Sequence, residues 1–393
     1  MSNQGGKNIL ITFGRSFLTL DIARLMGAGG HTVFVADSVR FPISRYSNSV
    51  TKAFRVARPK FEPVEWARDI ARIVREQHID LVITVHEETD ILAQVVRRYP
   101  DLFPDSCQLF LSDFESEVRL HNKYEFQVLL DSLGVDTMKF ARVSSQEELE
   151  ALDFTVPFAL KQCYSRGSQD VHKVYPGNLP DVTFDPGNPW IAQEWIKGKN
   201  YCSYSICRNG EVLAHTLYPV NYAIDGHSCL DYAHVEHEAI AQWVRDRVKA
   251  INFTGQIGFD FIDVPDGRLL TIECNPRATS GIMLFEANNQ IDRAFFGTND
   301  TVVTPNPGVR KMVGPGMLMY GWRKSARGGH TMREFIRDVL RTDEVITQRN
   351  DLKPAFAMPL AMVSILREAV RYKVGIPEAF MHDHEWDGHP LPK

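Results

Sequence analysis

The stretch 255–281, GQIGFDFIDVPDGRLLTIECNPRATSG, carries the strongest chemical signal in the chain. Asp260 and Glu273 fall on two strand-like runs joined by the turn Pro265-Asp266-Gly267. Folding that hairpin can bring both carboxylates to one end of a sheet, with Asn275 on the same face as Glu273. Two carboxylates and an amide oxygen are hard ligands of the kind that suit Mg²⁺. Arg277 adds a planar cation that can clamp a phosphate or a carboxylate with two hydrogen bonds. A solvated hairpin with a surface ion pair is the plain alternative for the same residues. Cys274 lies between two ligand positions, and strand alternation points it into the packing.

Two lysines precede this cluster. Lys123 opens a helix behind Asn122, with Glu125 completing a capping-box pattern. Lys161 ends an apolar strand and is followed by Ser165, Arg166, Gly167, Ser168 and Gln169. A loop of that composition can lay backbone N–H groups over phosphates. Further on, Gln193-Glu194-Trp195-Ile196 leads to Gly198-Lys199-Asn200. Such an extended segment can offer backbone groups to a purine edge while apolar side chains cover the ring.

The elements that must position these groups fall into three passages. Up to about residue 112, strand and helix signals alternate, as in a parallel sheet with helices on its faces. The turn Gly14-Arg15-Ser16 sits between a strand and a helix, where such sheets bind anions or polar ligands. No GxGxxG fingerprint is present, which speaks against a dinucleotide site. From about 113 to 303 the pattern is α+β, with hairpin signals such as Arg208-Asn209-Gly210. Residues 304–393 open on a Pro/Gly-rich stretch and continue with helical patterns, as an accessory region would.

The chain of 393 residues exceeds one compact core, since domains run to roughly 100–200 residues. Lys and Arg number 44 against 49 Asp and Glu, and the net charge of −5 argues against a nucleic-acid partner. No apolar run approaches the ~18 residues needed to cross a bilayer, so no membrane partner is expected. The short apolar run Ile9 to Phe13 reads as a strand rather than as part of a signal peptide. The six cysteines form no CxxC pair, as in a cytoplasmic protein with reduced thiols.

Taken in order, these parts resemble the ATP-grasp superfamily. The sequence of parts is a lysine, a lysine with a glycine-rich loop, QEWI with Gly198 and Asn200, and Asp260 thirteen residues before Glu273 in ECNPR. The last motif is similar to the carbamoyl-phosphate-synthase-like, carboxylate–amine ligase branch. The resemblance covers roughly residues 1 to 303. It implies a Rossmann-like pre-ATP-grasp domain over 1–112 and an ATP-grasp domain over 113–303, with a smaller lid subdomain at about 119–193. Residues 304–393 would be a mainly helical extension. Lys123 and Lys161 match the family's phosphate-binding lysines, and residues 165–169 match the loop that closes over the triphosphate. Glu194, Trp195 and Ile196 match the hinge that reads adenine. Asn200 falls where the family often has Glu on the ribose. Asp260, Glu273 and Asn275 match the metal ligands. Arg277, with Lys161, takes the catalytic position on the transferred phosphate.

The resemblance implies an ATP- and Mg²⁺-dependent ligase, with Mn²⁺ as a substitute metal. It would join a small-molecule carboxylate to an amine through an acyl-phosphate. A bicarbonate-activating carboxylase or carbamoyl-phosphate-type enzyme is the alternative on the same fold, and a catalytically inert nucleotide-binding module is the alternative from another class. A homodimer is the oligomer to expect. Candidate substrate residues come from strand ends of the first passage: Arg15 and Ser16 after the first strand, and His86, Glu87 and Glu88 after Leu81–Val85. The last three also read simply as an acidic helix N-terminus favoured by the helix dipole.

Overall fold

The computed structural model describes residues 5–166, 171–224 and 228–391. The first sheet holds β1 (Asn8–Ile11), β2 (Thr32–Asp37), β3 (Val50–Arg55), β4 (Leu81–Ile83) and β5 (Gln108–Leu109). Its order is β3-β2-β1-β4-β5 and every pairing is parallel, a Rossmann-like arrangement. Helices α1 (Phe17–Ala28), α2 (Pro63–Gln77) and α3 (Glu88–Arg98) cross over between strands. Burial on both faces explains the short, nearly unbroken apolar strands such as Asn8–Ile11, whose Ile9, Leu10 and Ile11 are fully buried. The Ser16 hydroxyl accepts from the Leu18 N–H and starts α1 directly after β1.

Helices α4 (Phe114–His121) and α5 (Lys123–Ser132) lead into a four-stranded antiparallel sheet. It contains β6 (Phe140–Val143), β7 (Phe158–Gln162), β8 (His172–Val174) and β9 (Trp190–Glu194), in the order β6-β9-β7-β8. A larger antiparallel sheet follows, built from β10 (Lys199–Arg208), β11 (Glu211–Pro219), Gly255–Asp263 and Leu269–Asn275. Its back is covered by α5 and by the helix Glu238–Ala250, whose Ile240, Val244 and Val248 repeat every fourth residue. Alternation along Gly255–Asp263 sends Ile257, Phe259 and Phe261 into that core and leaves Asp260 and Ile262 on the opposite face.

The C-terminal region is mainly helical, with Met332–Arg341 and Lys353–Tyr372 as its long helices. It also holds two short strands that the sequence pattern did not suggest. Arg310–Met312 pairs with Asp231–Ala233 and with Asp343–Glu344, tying this region to the middle of the chain. Residues 380–387 then return to the first sheet and pack beside its strand ends. Among the described residues, no helix is long and apolar enough to cross a membrane.

Candidate active site

Asp260 and Glu273 are register partners on adjacent antiparallel strands, and Gly258 is the partner of Asn275. The register slips by one residue between these pairs and the Phe261–Thr271 pair, so Ile272 is an extra residue in its strand. This bulge reverses the alternation. Thr271 is buried beside Phe261, whereas Ile272, Glu273 and Asn275 line the cleft. Cys274 points into the helix-backed core, as alternation from its neighbours requires.

Both lysines reach Glu273, Lys161 from the smaller sheet and Lys123 from α5. Lys123 Nζ lies 3.5 Å from Glu273 Oε2 and donates to the Ser165 carbonyl oxygen at 2.6 Å. Lys161 Nζ lies 3.9 Å from the same carboxylate. Burial raises the pKa of Asp260, and the nearby Glu273 carboxylate raises it further. Burial acts upward on Glu273 too, but Lys123 and Lys161 outweigh it and hold that carboxyl below its ordinary value. Burial brings the Lys161 ammonium down to about 8, with Glu273 acting the other way. Two carboxylates, one amide oxygen and two flanking ammonium groups fit a Mg²⁺–polyphosphate pair: the acids supply hard donors and the lysines meet the remaining phosphate charge. Arg277 Nη2 donates to Asn275 Oδ1 at 3.0 Å and lies 3.8 Å from Glu87 Oε1.

A cleft of about 520 Å³ runs past this cluster in both directions. Toward the smaller sheet it is lined by Met138, Ala159, Ile196 and Ile262, with Glu194, Trp195 and Asn200 at its edge. The Glu194 and Trp195 N–H groups donate to the carbonyls of Lys139 and Pro157, which fixes the segment before Ile196. Lys173 sits over the Trp195 ring, 4.5 Å from its centroid. Ser165 lines the cleft with its hydroxyl turned back to the Gln162 carbonyl. Gly167, Ser168 and Gln169 lie outside the described residues.

Arg166 lines the cleft as well, but the structure gives its guanidinium other partners. Its guanidinium is buried among Glu87, Glu385 and Asp387, and it also donates to the Trp386 carbonyl. A charge placed there is held by three carboxylates. Arg15 is likewise buried, bound by Asp37 and Asp383 and donating to Ser38, and this corrects its reading as a substrate residue. Glu88 accepts from Thr12 Oγ1 and from the N–H groups of Val85 and His86, so it braces the turn after β4. Glu87 is fully buried. Burial opposes its ionisation, but Arg166, then His121, hold its carboxyl well below the usual range. Neither acid reaches the cleft. Ser16 and His86 do line it. Burial, then Arg277, lowers the pKa of His86 well below its ordinary value, and its Nδ1 has no hydrogen-bond partner.

Other cleft residues carried no motif. Phe380 and Met381 come from the C-terminal segment, and Met283, Tyr232, Cys202 and Cys229 from the middle of the chain. The acid-rich run Asp383–Asp387 was the one signal that could have flagged this segment. All six cysteines are free thiols.

Residues 120–281 match the family model of the ATP-grasp domain. The L-amino acid ligase of Bacillus licheniformis has a similar fold, at a TM-score of 0.50 and 19% identity, over 71% of this chain and 68% of that one. So does the biotin carboxylase domain of 2-oxoglutarate carboxylase from Hydrogenobacter thermophilus, solved with MgADP, ADP and bicarbonate. Its TM-score is 0.57 at 14% identity, over 75% of this chain and 70% of that one. The multifunctional protein URA2 of Saccharomyces cerevisiae is 26% identical over 217 residues, which is 51% of this chain and 9% of that protein. The stretch that matches the ATP-grasp domain model thus follows directly on a Rossmann-like sheet.

Proposed function

We propose that the chain is an ATP- and Mg²⁺-dependent ligase that joins a small-molecule carboxylate to an amine. The observation that carries this reading is the position of Arg277. It touches the oxygen-donor set through Asn275, and it lines the part of the cleft that opens beyond that set. Lys123 and Lys161 would hold the phosphates of ATP, with adenine between Met138, Ile196 and Ile262. Mg²⁺ at Asp260, Glu273 and Asn275 would draw charge from the phosphates, and Mn²⁺ would serve equally as a hard cation.

The acceptor carboxylate, an anion approaching a polyanion, needs a cation beside it, and Arg277 is placed to supply one. Its oxygen attacks the γ-phosphorus and ADP departs with the electron pair of the broken P–O bond. The amine nitrogen then attacks the acyl carbon, phosphate leaves with the C–O pair, and the amine proton passes to solvent or a nearby base. An acyl-phosphate hydrolyses in water, so the surrounding apolar walls favour the second step over loss. Bicarbonate, a small hydrated anion, makes poor use of those walls.

The test is ADP release with a pool of carboxylic acids, with hydroxylamine present to trap acyl-phosphate as hydroxamate. Trapping that needs both ATP and an acid supports the reading. ADP release that needs bicarbonate, or no release with any acid, would sink it.

A further inference from the structure

Beyond Arg277 the cleft changes character. Phe13, Phe17, Met283, Tyr232 and Phe380 line it. Phe13 occupies the left-handed region at φ 54°, a costly conformation for a side chain with a Cβ. Two bonds to its carbonyl oxygen hold it there, from the Ser16 N–H and from Thr19 Oγ1. The turn sets the Phe13 ring 5.2 Å from the His86 ring and 5.7 Å from Phe380, centroid to centroid. Phe17 adds a further contact to Phe380 at 5.9 Å. The strand end that commonly presents a polar turn to a ligand here presents an aromatic wall.

Charge in this region is nearly cancelled. Glu87 is taken by Arg166 and Asp383 by Arg15. His86 is neutral, for the reasons of burial and nearby cations given above. Arg277 keeps a buried Nε without a partner. Arg166 also lines the cleft but is bound by Glu87, Glu385 and Asp387, so among the described residues lining this end Arg277 is the cation with a nitrogen to spare, beside one neutral imidazole nitrogen without a partner and no unpaired carboxylate.

We propose that the acceptor is a monocarboxylic acid with an apolar, aryl-sized body, its carboxylate on Arg277 and its body among Phe13, Phe17, Met283 and Phe380. This rests on the ligase reading above. A second carboxylate would find no second cation with a nitrogen to spare, and an α-ammonium group would find no unpaired anion. Burying either charge unpaired is costly, so the pocket rejects both, while an aryl ring gains contact area.

The experiment has two arms. In the first, ATP-dependent hydroxamate formation is compared for 3-phenylpropanoate, succinate, glutamate and phenylalanine. We expect 3-phenylpropanoate to exceed each of the others at least tenfold in kcat/KM. A preference for succinate or glutamate, or for phenylalanine over its deaminated analogue, overturns the proposal. In the second arm, equilibrium binding of 3-phenylpropanoate is measured by calorimetry without ATP, so this arm does not depend on turnover. Phe380→Ala should weaken binding at least tenfold and Phe380→Leu should restore most of it, with ADP binding unchanged in both. If no acid is turned over but this pattern of binding holds, the ligase reading falls and the pocket assignment stands. Absence of binding by the wild-type protein, or equal binding by Phe380→Ala, overturns the pocket assignment.

Discussion

Asp260 and Glu273 face each other across two antiparallel strands, and one extra residue, Ile272, turns Glu273 onto the cleft beside its partner. Glu273 in turn draws in Lys123 and Lys161 at 3.5 and 3.9 Å. A bulge in one strand thus gathers the charged groups of the site. Glu273→Ala should reduce turnover at least ~10³-fold, because it removes a hard donor and leaves two neighbouring ammonium groups without their anion. The melting temperature should change little, since Glu273 borders open cleft. Wild-type rates at ordinary Mg²⁺ would remove Glu273 from the metal set.

Arg277→Lys keeps the charge and loses the fork. The expected fall in kcat is roughly 10²–10³, the size typical for losing one transition-state donor. ATP affinity should be nearly unchanged, because the lysines and the oxygen donors remain. Loss of ATP binding in proportion to rate would make Arg277 a nucleotide ligand instead.

Arg166→Lys separates two roles for that residue. Its guanidinium binds Glu87, Glu385 and Asp387 together, which a single ammonium cannot do. The variant should lose about 3 kcal/mol of stability, the scale for disturbing a buried ion pair. KM for the acid should rise more than KM for ATP, because Glu87, 3.8 Å from Arg277, would then compete for it. A rise confined to ATP would instead put Arg166 on the phosphates.

Asp383 joins the C-terminal segment to Arg15, 2.9 Å away, with both side chains almost fully buried. Burial acts upward on its pKa, but Arg15, then His384, hold it far below the ordinary carboxylate value. A folded-state pKa below the unfolded one gives stability that is present above the unfolded pKa of about 3.9 and is lost as pH falls toward the folded one. Asp383→Asn should therefore cost about 3 kcal/mol at pH 7, and the deficit should narrow below about pH 4. Urea titrations at pH 7 and pH 3.5 would show this; a deficit independent of pH would mean that the charge of Asp383 is not what matters.

The alternating strand and helix signals of residues 1–112 were legible because buried parallel strands are short apolar runs and their helices are amphipathic. That Lys123, Lys161, Glu194, Asp260 and Glu273 belong together was legible because few residue types suit metal and phosphate chemistry and hairpins restrict spacing, and all five line one cleft. Arg15, Arg166, Glu87 and Glu88 looked the same in sequence as residues that meet a ligand. Whether a charged side chain faces a cleft or a buried counter-ion is decided by its partners, and beside the nearer Asp37 and Glu87 those of Arg15 and Arg166 include Asp383, Glu385 and Asp387, more than 200 residues along the chain. The bulge at Ile272 was hidden for a related reason. Strict alternation from Thr271 would put Glu273 in the core, and only pairing with the neighbouring strand reveals the extra residue. Residue type and order along one segment are local properties that a sequence states directly. The aromatic wall made by Phe13 and Phe380, 367 positions apart, exists only once the C-terminal segment folds back over the first sheet.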